Sequence, residues 1–160
     1  MSESISTPKI HIEDQEIHVK IKFLDDKINH PLKYSHMGDA CADIRSNQEL
    51  ILKPGDFKLV KTGLVIVIPF GFEGQVRPRS GLALKHGIFV LNSPGTIDSA
   101  YRGELGVILA NFGPKEFVIN EGDRIGQLKI SRVEPVRFTV VDKLDETNRG
   151  TGGFGSTGIK

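Results

Sequence analysis

The sequence predicts an all-β domain, a sandwich or barrel of many short strands. Its apolar runs are brief and rich in β-branched residues, Gly, Pro and Asn separate them, and only one stretch reads as a helix. The chain has 160 residues, with 18 glycines and 8 prolines to turn it. One domain of that length can bury a real core.

The elements follow in order. Residues 1–14 are polar and aperiodic and read as a loose N-terminal arm. Residues 17–23 alternate apolar and polar, as a half-buried strand does. Residues 59–68 form one long β-branched run, 72–76 a short one and 88–91 another. Residues 80–86 are the helix candidate, about two turns, with a cap-like Ser80 at its start and Gly87 as its stop. Residues 105–110 are apolar on both faces, which predicts a strand buried on both sides. Strands at 117–119, 125–133 and 136–141 complete the core, which is expected to span residues 15–147. Residues 148–160 differ in character. They are so rich in glycine that they cannot bury enough apolar area to order themselves. They are either a dispensable tail or an arm that orders around a ligand.

Charge and cysteine content narrow the function. Net charge is +1, from 21 basic and 20 acidic residues, which argues against a duplex-binding surface. Phosphates can still be held by a small local cluster. A lone cysteine, Cys41, cannot form an internal disulfide, so the expectation is a reducing compartment, the cytoplasm. The polar N-terminus does not read as a signal peptide, and no apolar run approaches membrane-spanning length, so no membrane is expected.

Five segments carry chemical potential. Gln75-Val76-Arg77-Pro78-Arg79-Ser80-Gly81-Leu82-Ala83 places two guanidiniums, a hydroxyl and a glycine at a strand-to-helix junction. Guanidinium forks match phosphate oxygens, and amides at a helix start favour anions. Alone, the segment fits a capped surface helix equally well. Residues 91–104 read as a hairpin in which Asp98 lies between Ile97 and Ser99 and can take a proton from water. Tyr101 can offer a ring to a sugar. Alone, these read as a turn aspartate and a half-buried tyrosine. Arg149-Gly150-Thr151-Gly152-Gly153-Phe154-Gly155-Ser156-Thr157-Gly158 fails as a Walker A loop, because no lysine follows the glycines at the required place. Its amides can still wrap a polyphosphate, and Phe154 is suited to stack on a base. Gly38-Asp39-Ala40-Cys41-Ala42-Asp43-Ile44-Arg45 sets Asp43 among small residues, and Gly122-Asp123-Arg124-Ile125-Gly126-Gln127-Leu128 puts Gln127 on a strand. No His/Cys cluster has zinc spacing.

Together and in order, these segments resemble the five motifs of the homotrimeric dUTPase family, over roughly residues 20–158. The resemblance implies a distorted β-jelly-roll subunit with one short helix, and a homotrimer whose active sites draw on all three chains. It implies hydrolysis of deoxyuridine triphosphate (dUTP) to dUMP and pyrophosphate with Mg2+, which keeps uracil out of DNA and supplies dUMP for thymidylate. By position, Asp98 resembles the catalytic residue that activates the attacking water. Arg79, Ser80 and Gly81 resemble the phosphate-binding junction, and Asp43 the acid that contacts magnesium through water. Tyr101 resembles the ring beneath the deoxyribose. Asn92, Gly95, Thr96 and Ile97, with Gly106 opposite, resemble the hairpin that reads uracil. Gln127 resembles a helper at the phosphates or water, Arg149 the γ-phosphate ligand, and Phe154, Gly155 and Ser156 the closing arm with its uracil-stacking ring. Cys41 departs from the glycine usual in the first motif. Two alternatives remain: a related dCTP deaminase or bifunctional enzyme, and a non-catalytic dUTP-binding regulator.

Overall fold

A computed structural model describes residues 16–25 and 30–154. Among the described residues eleven strands and one helix follow in chain order: β1 (Lys20–Phe23), β2 (Ala42–Arg45), β3 (Leu50–Leu52), β4 (Phe57–Lys61), β5 (Leu64–Val67), β6 (Phe72–Arg77), α1 (Ser80–His86), β7 (Ile88–Val90), β8 (Gly95–Ile97), β9 (Gly106–Asn111), β10 (Phe117–Ile119) and β11 (Arg124–Arg132). All the strand pairs are antiparallel. The largest sheet has the order β2-β11-β6-β8, a second has β4-β9-β7, and β1-β5 and β3-β10 form two-stranded ribbons. This is the all-β architecture the strand pattern predicts.

The core is wholly aliphatic. Ile44, Val60, Ile66, Val107, Leu109 and Ile125 are among its fully buried members, and no aromatic residue is fully buried among the described residues. Each such side chain contributes about 1.5–3 kcal/mol by leaving water. Phe72 and Phe117 only flank this cluster, while Tyr34 and Tyr101 are exposed. Three buried polar side chains are satisfied. Ser46 donates to the Gln48 carbonyl, Thr62 to that of Leu105, and the Asn111 amide to those of Leu52 and Lys115. An unpaired group at such depth costs about 1–3 kcal/mol, so these three side chains fix the loops they join.

The apolar 59–68 run is divided. Thr62 and Gly63 intervene, Gly63 with φ 69°, so the chain passes from β4 in one sheet to β5 in another. Helix α1 has the expected bounds but a different start. Its N-cap is Arg79, in extended conformation with no side-chain cap bond, and Ser80 is the first helical residue. Gly87 stops it as predicted, with φ 67°, and an added Cβ there would lie 2.6 Å from the Gly113 nitrogen. Strand β9 is central in its sheet. Its Val107 and Leu109 face the core, and Ala110 is also buried. Residues 136–141 form no strand: Val136, Phe138 and Val140 alternate as a strand would, yet all three are exposed. Residues 1–14 lie outside the described residues, apart from which no helix is long and apolar enough to cross a membrane.

Candidate active site

Asp43 lies on β2 between the core residues Ala42 and Ile44, so strand alternation turns its side chain outward. It pairs in register with Gln127 of β11, and Gln127 pairs in turn with Arg77 of β6. Residues paired this way project from the same face of a sheet. Arg77 is held along β6, donating to Gln75 Oε1 at 2.6 Å. Two residues beyond it, Arg79 reaches back to Asp43, with Nε 3.4 Å from Oδ1. Its Nη1 donates to the Arg124 carbonyl at 3.1 Å.

Arg124 completes the cluster, with Nη1 3.3 Å from Asp43 Oδ2. Ser35 Oγ donates to the same oxygen at 3.0 Å. Neither Arg124 nor Ser35 stands out as a site residue from sequence. For Arg124 the reason is geometric. An odd separation from Gln127 should put it on the opposite face. The β2–β11 register shifts between Arg124 and Gly126, so that Arg124 faces Arg45 and Gly126 faces Ile44. This bulge adds one residue to β11 and returns Arg124 to the face of Asp43. The signal in the sequence was Gly126, a glycine inside a strand of otherwise alternating polar and apolar residues.

These side chains wall an open cleft of about 400 Å³, lined by Asp43, Arg79, Arg124, Gln127, Ser35 and Cys41 among others. Asp43 Oδ1 and Arg79 Nε are both buried and have no hydrogen-bond partner. They face each other as an ion pair at 3.4 Å, and a carboxylate and a guanidinium side by side in one cleft suit a counter-cation and its phosphate. Ser80 and Gly81, directly after Arg79, form the exposed start of α1. Among the described residues no three His, Cys, Asp or Glu side chains group to hold a metal. Magnesium does not need such a cage, since it keeps several waters and takes one or two carboxylates plus substrate phosphates. The Asp43 carboxylate on the cleft wall fits that pattern.

A second group lies elsewhere. Residues 91–104 do not pair with themselves. Their strand β8 adds to the edge of β6, with Val76 opposite Gly95 and Gly74 opposite Ile97. Asn92 lies beside Gly95, its Nδ2 3.0 Å from where a Cβ would stand. Thr96 is exposed on β8, opposite Gln75. Asp98 is exposed just past β8, and its carbonyl accepts from Tyr101 N at 3.0 Å, closing a turn. Tyr101 OH donates to the Glu104 carbonyl at 3.1 Å. The ring lies across Gly103, where a Cβ would come within 2.3 Å of the hydroxyl. Gly106 begins β9, paired with Lys61 and covered by Leu59.

Because β6 and β8 are antiparallel, Gly95 lies opposite Val76, next to Arg77, while Asp98 continues past Ile97 toward the other end of β6. Asp98 follows Ile97, which pairs with Gly74, whereas Arg79 follows the Arg77 end of β6. The tail stands apart from both. Arg149 Nε donates to the Gly152 carbonyl at 2.8 Å, and Phe154 is fully exposed with φ 49°. Gly155 and Ser156 lie outside the described residues.

Residues 28–158 match the family model described as dUTPase. The chain belongs to the dUTPase family. Its relatives include the deoxyuridine 5'-triphosphate nucleotidohydrolase of Crocosphaera subtropica, 51% identical over 88% of this chain and 99% of that protein. Another, from Clostridium novyi, is 53% identical over 78% of this chain and 88% of its own length. Among solved structures, the dUTPase of Staphylococcus bacteriophage 80alpha with dUpNHpp superposes with a TM-score of 0.81 at 26% identity, covering 89% of this chain and 99% of that one. The likeness extends through both residue groups and into the tail, and it makes the jelly-roll the fold of this dUTPase.

Proposed function

We propose that this chain is a dUTP diphosphatase that hydrolyses dUTP to dUMP and pyrophosphate with Mg2+. The observation that carries the reading is the Asp43 carboxylate held between Arg79 and Arg124 on the wall of one cleft, where its Oδ1 and Arg79 Nε form an ion pair but no hydrogen bond. In the reaction, Asp98 takes a proton from a water aimed at the α-phosphorus. The guanidinium of Arg79 and the hydroxyl of Ser80, with the Gly81 amide, hold the phosphate chain, and Gln127 steadies the water or an adjacent oxygen. Asp43 would hold magnesium through water, and the ion would supply neutralisation of the phosphate charge. Such hydrolysis asks mainly for positioning and charge stabilisation. Tyr101 packs against the deoxyribose and leaves no room for a 2′-hydroxyl. Asn92 and the backbone of residues 95–98, with Gly106, read uracil, because the groups at C4 of cytosine reverse the hydrogen-bond polarity and leave buried partners unpaired.

The same reading makes the enzyme a homotrimer. A site needs both the phosphate cluster and Asp98; in one chain Asp98 lies past the Gly74 end of the β6–β8 pairing and Arg79 past the Arg77 end of β6, so a neighbouring copy supplies the missing half. Two apolar features support that assembly. Phe57 and Leu59 are exposed on the outer face of the β4-β9-β7 sheet, and Val136, Phe138 and Val140 stand open after β11. The chain then divides into an N-terminal arm (1–14), a β-barrel core (15–147) and a C-terminal arm (148–160). Arg149 of that last arm reaches the γ-phosphate, and Phe154, Gly155 and Ser156 close over the base. Cellular roles follow from the chemistry: less dUTP for polymerases and more dUMP for thymidylate.

Pyrophosphate release from dUTP, dTTP, dCTP and UTP side by side, with Mg2+ and with chelator, tests the reading. Magnesium-dependent release from dUTP alone is expected. Ammonia from dCTP would point to the deaminase, and dUTP binding without turnover to the regulator.

A further inference from the structure

Asp43 has more cationic partners than it can keep once substrate binds. Arg79 and Arg124 both face its carboxylate, at 3.4 and 3.3 Å, and Ser35 donates to it as well. The three groups differ in exposure: 12% for Asp43, 25% for Arg79 and 44% for Arg124. Asp43 is the most desolvated member, so its charge is the most sensitive to losing a partner. Arg79 is tied by its Nη1 to the Arg124 carbonyl, which leaves Nε free to change partner. Arg124 has its own backbone in the β2–β11 ladder and is aimed at Asp43 by the bulge.

On the proposed function, we infer that Arg124 is a positioning residue that neutralises Asp43 so that Arg79 can leave it for phosphate. In the free protein Asp43 and phosphate compete for Arg79. With Arg124 present, Asp43 is partly satisfied and releases Arg79 readily. Without Arg124, Asp43 holds Arg79 more tightly and presents a stronger negative charge to a cation. Loss of the Arg124 charge therefore acts on the two ligands in opposite directions: nucleotide without metal binds more weakly, and magnesium is taken at lower concentration. A role confined to holding the fold would weaken both.

Calorimetric titration with the non-hydrolysable analogue dUpNHpp tests this in chelator and across a magnesium series. In R124Q, the metal-free Kd should rise about two- to fivefold, the scale of a partly exposed ion pair. The magnesium concentration giving half of the metal's effect should fall by a similar factor. R124K should restore both. The decisive control is a cycle with Asp43→Asn, in which R124Q should no longer change metal-free binding. A shift of both quantities in the same direction, no shift, or an R124Q effect that persists in the D43N background would overturn the inference. The last would make Arg124 a direct phosphate ligand. If the wild-type protein failed to bind dUpNHpp at all, the functional reading would fall first.

Discussion

Gln127 stands in register with Asp43 on one side and Arg77 on the other, the middle rung of a polar row across three strands. Its backbone belongs to the ladder and its side chain to the cleft. Gln127→Ala should therefore leave the thermal midpoint nearly unchanged but lower kcat for dUTP about 10- to 100-fold, the range for losing a hydrogen bond to a charged group. An unfolding shift large enough to explain the lost activity would reassign the side chain to structure.

Asp98 is exposed beyond β8, without a side-chain hydrogen bond or ion pair among the described residues. Asp98→Asn keeps the shape and removes the base. Turnover should fall by about 10²–10⁴, with dUpNHpp affinity retained. Turnover like that of the wild type would remove Asp98 from catalysis.

Tyr101 and Gly103 form one unit, since the ring occupies the space a Cβ would need. Gly103→Ala must displace the phenol. Selectivity for dUTP over UTP should drop in this variant and drop further in Tyr101→Ala, as the ratio of kcat/KM values would show. Unchanged ratios in both would move sugar discrimination to another group.

Val133 N donates to the Gly71 carbonyl at 2.9 Å, and the residues that follow are exposed almost throughout. A chain ending at Thr147 should keep its far-ultraviolet spectrum and its midpoint in urea, and lose nearly all dUTP turnover. If it unfolded, the tail would have to count as part of the core.

Leu109 is fully buried on the central strand β9. Leu109→Ala should destabilise the protein by about 2–5 kcal/mol, read from urea denaturation. A cost below 1 kcal/mol would mean that the site collapses around the smaller side chain.

The parts legible in the sequence were those governed by local rules. Helix α1 could be bounded because Gly87 ends it in the left-handed region, and β9 because apolar residues occupy both of its faces. Strands β2 and β3, only four and three residues long, carry too few periods to register. The opposite error came at residues 136–141, where alternation is clear but no described strand pairs with them. Alternation reports what a segment can do and not where its partner is. The hairpin reading of 91–104 failed likewise, because β8 found its partner in β6. In the candidate site, resemblance located Asp43, Arg79 and Gln127, and the structure brings these three together. Arg124 stayed hidden, because a bulge changes the facing of every residue before it.

With a wholly aliphatic interior, no tryptophan and only two tyrosines, both at the surface, ultraviolet emission from this protein reports almost nothing about unfolding. One of those two phenols, Tyr101, stands where the sugar is proposed to rest. On the proposed function that ring would serve as an optical reporter for nucleotide arrival, while melting has to be followed through the peptide backbone.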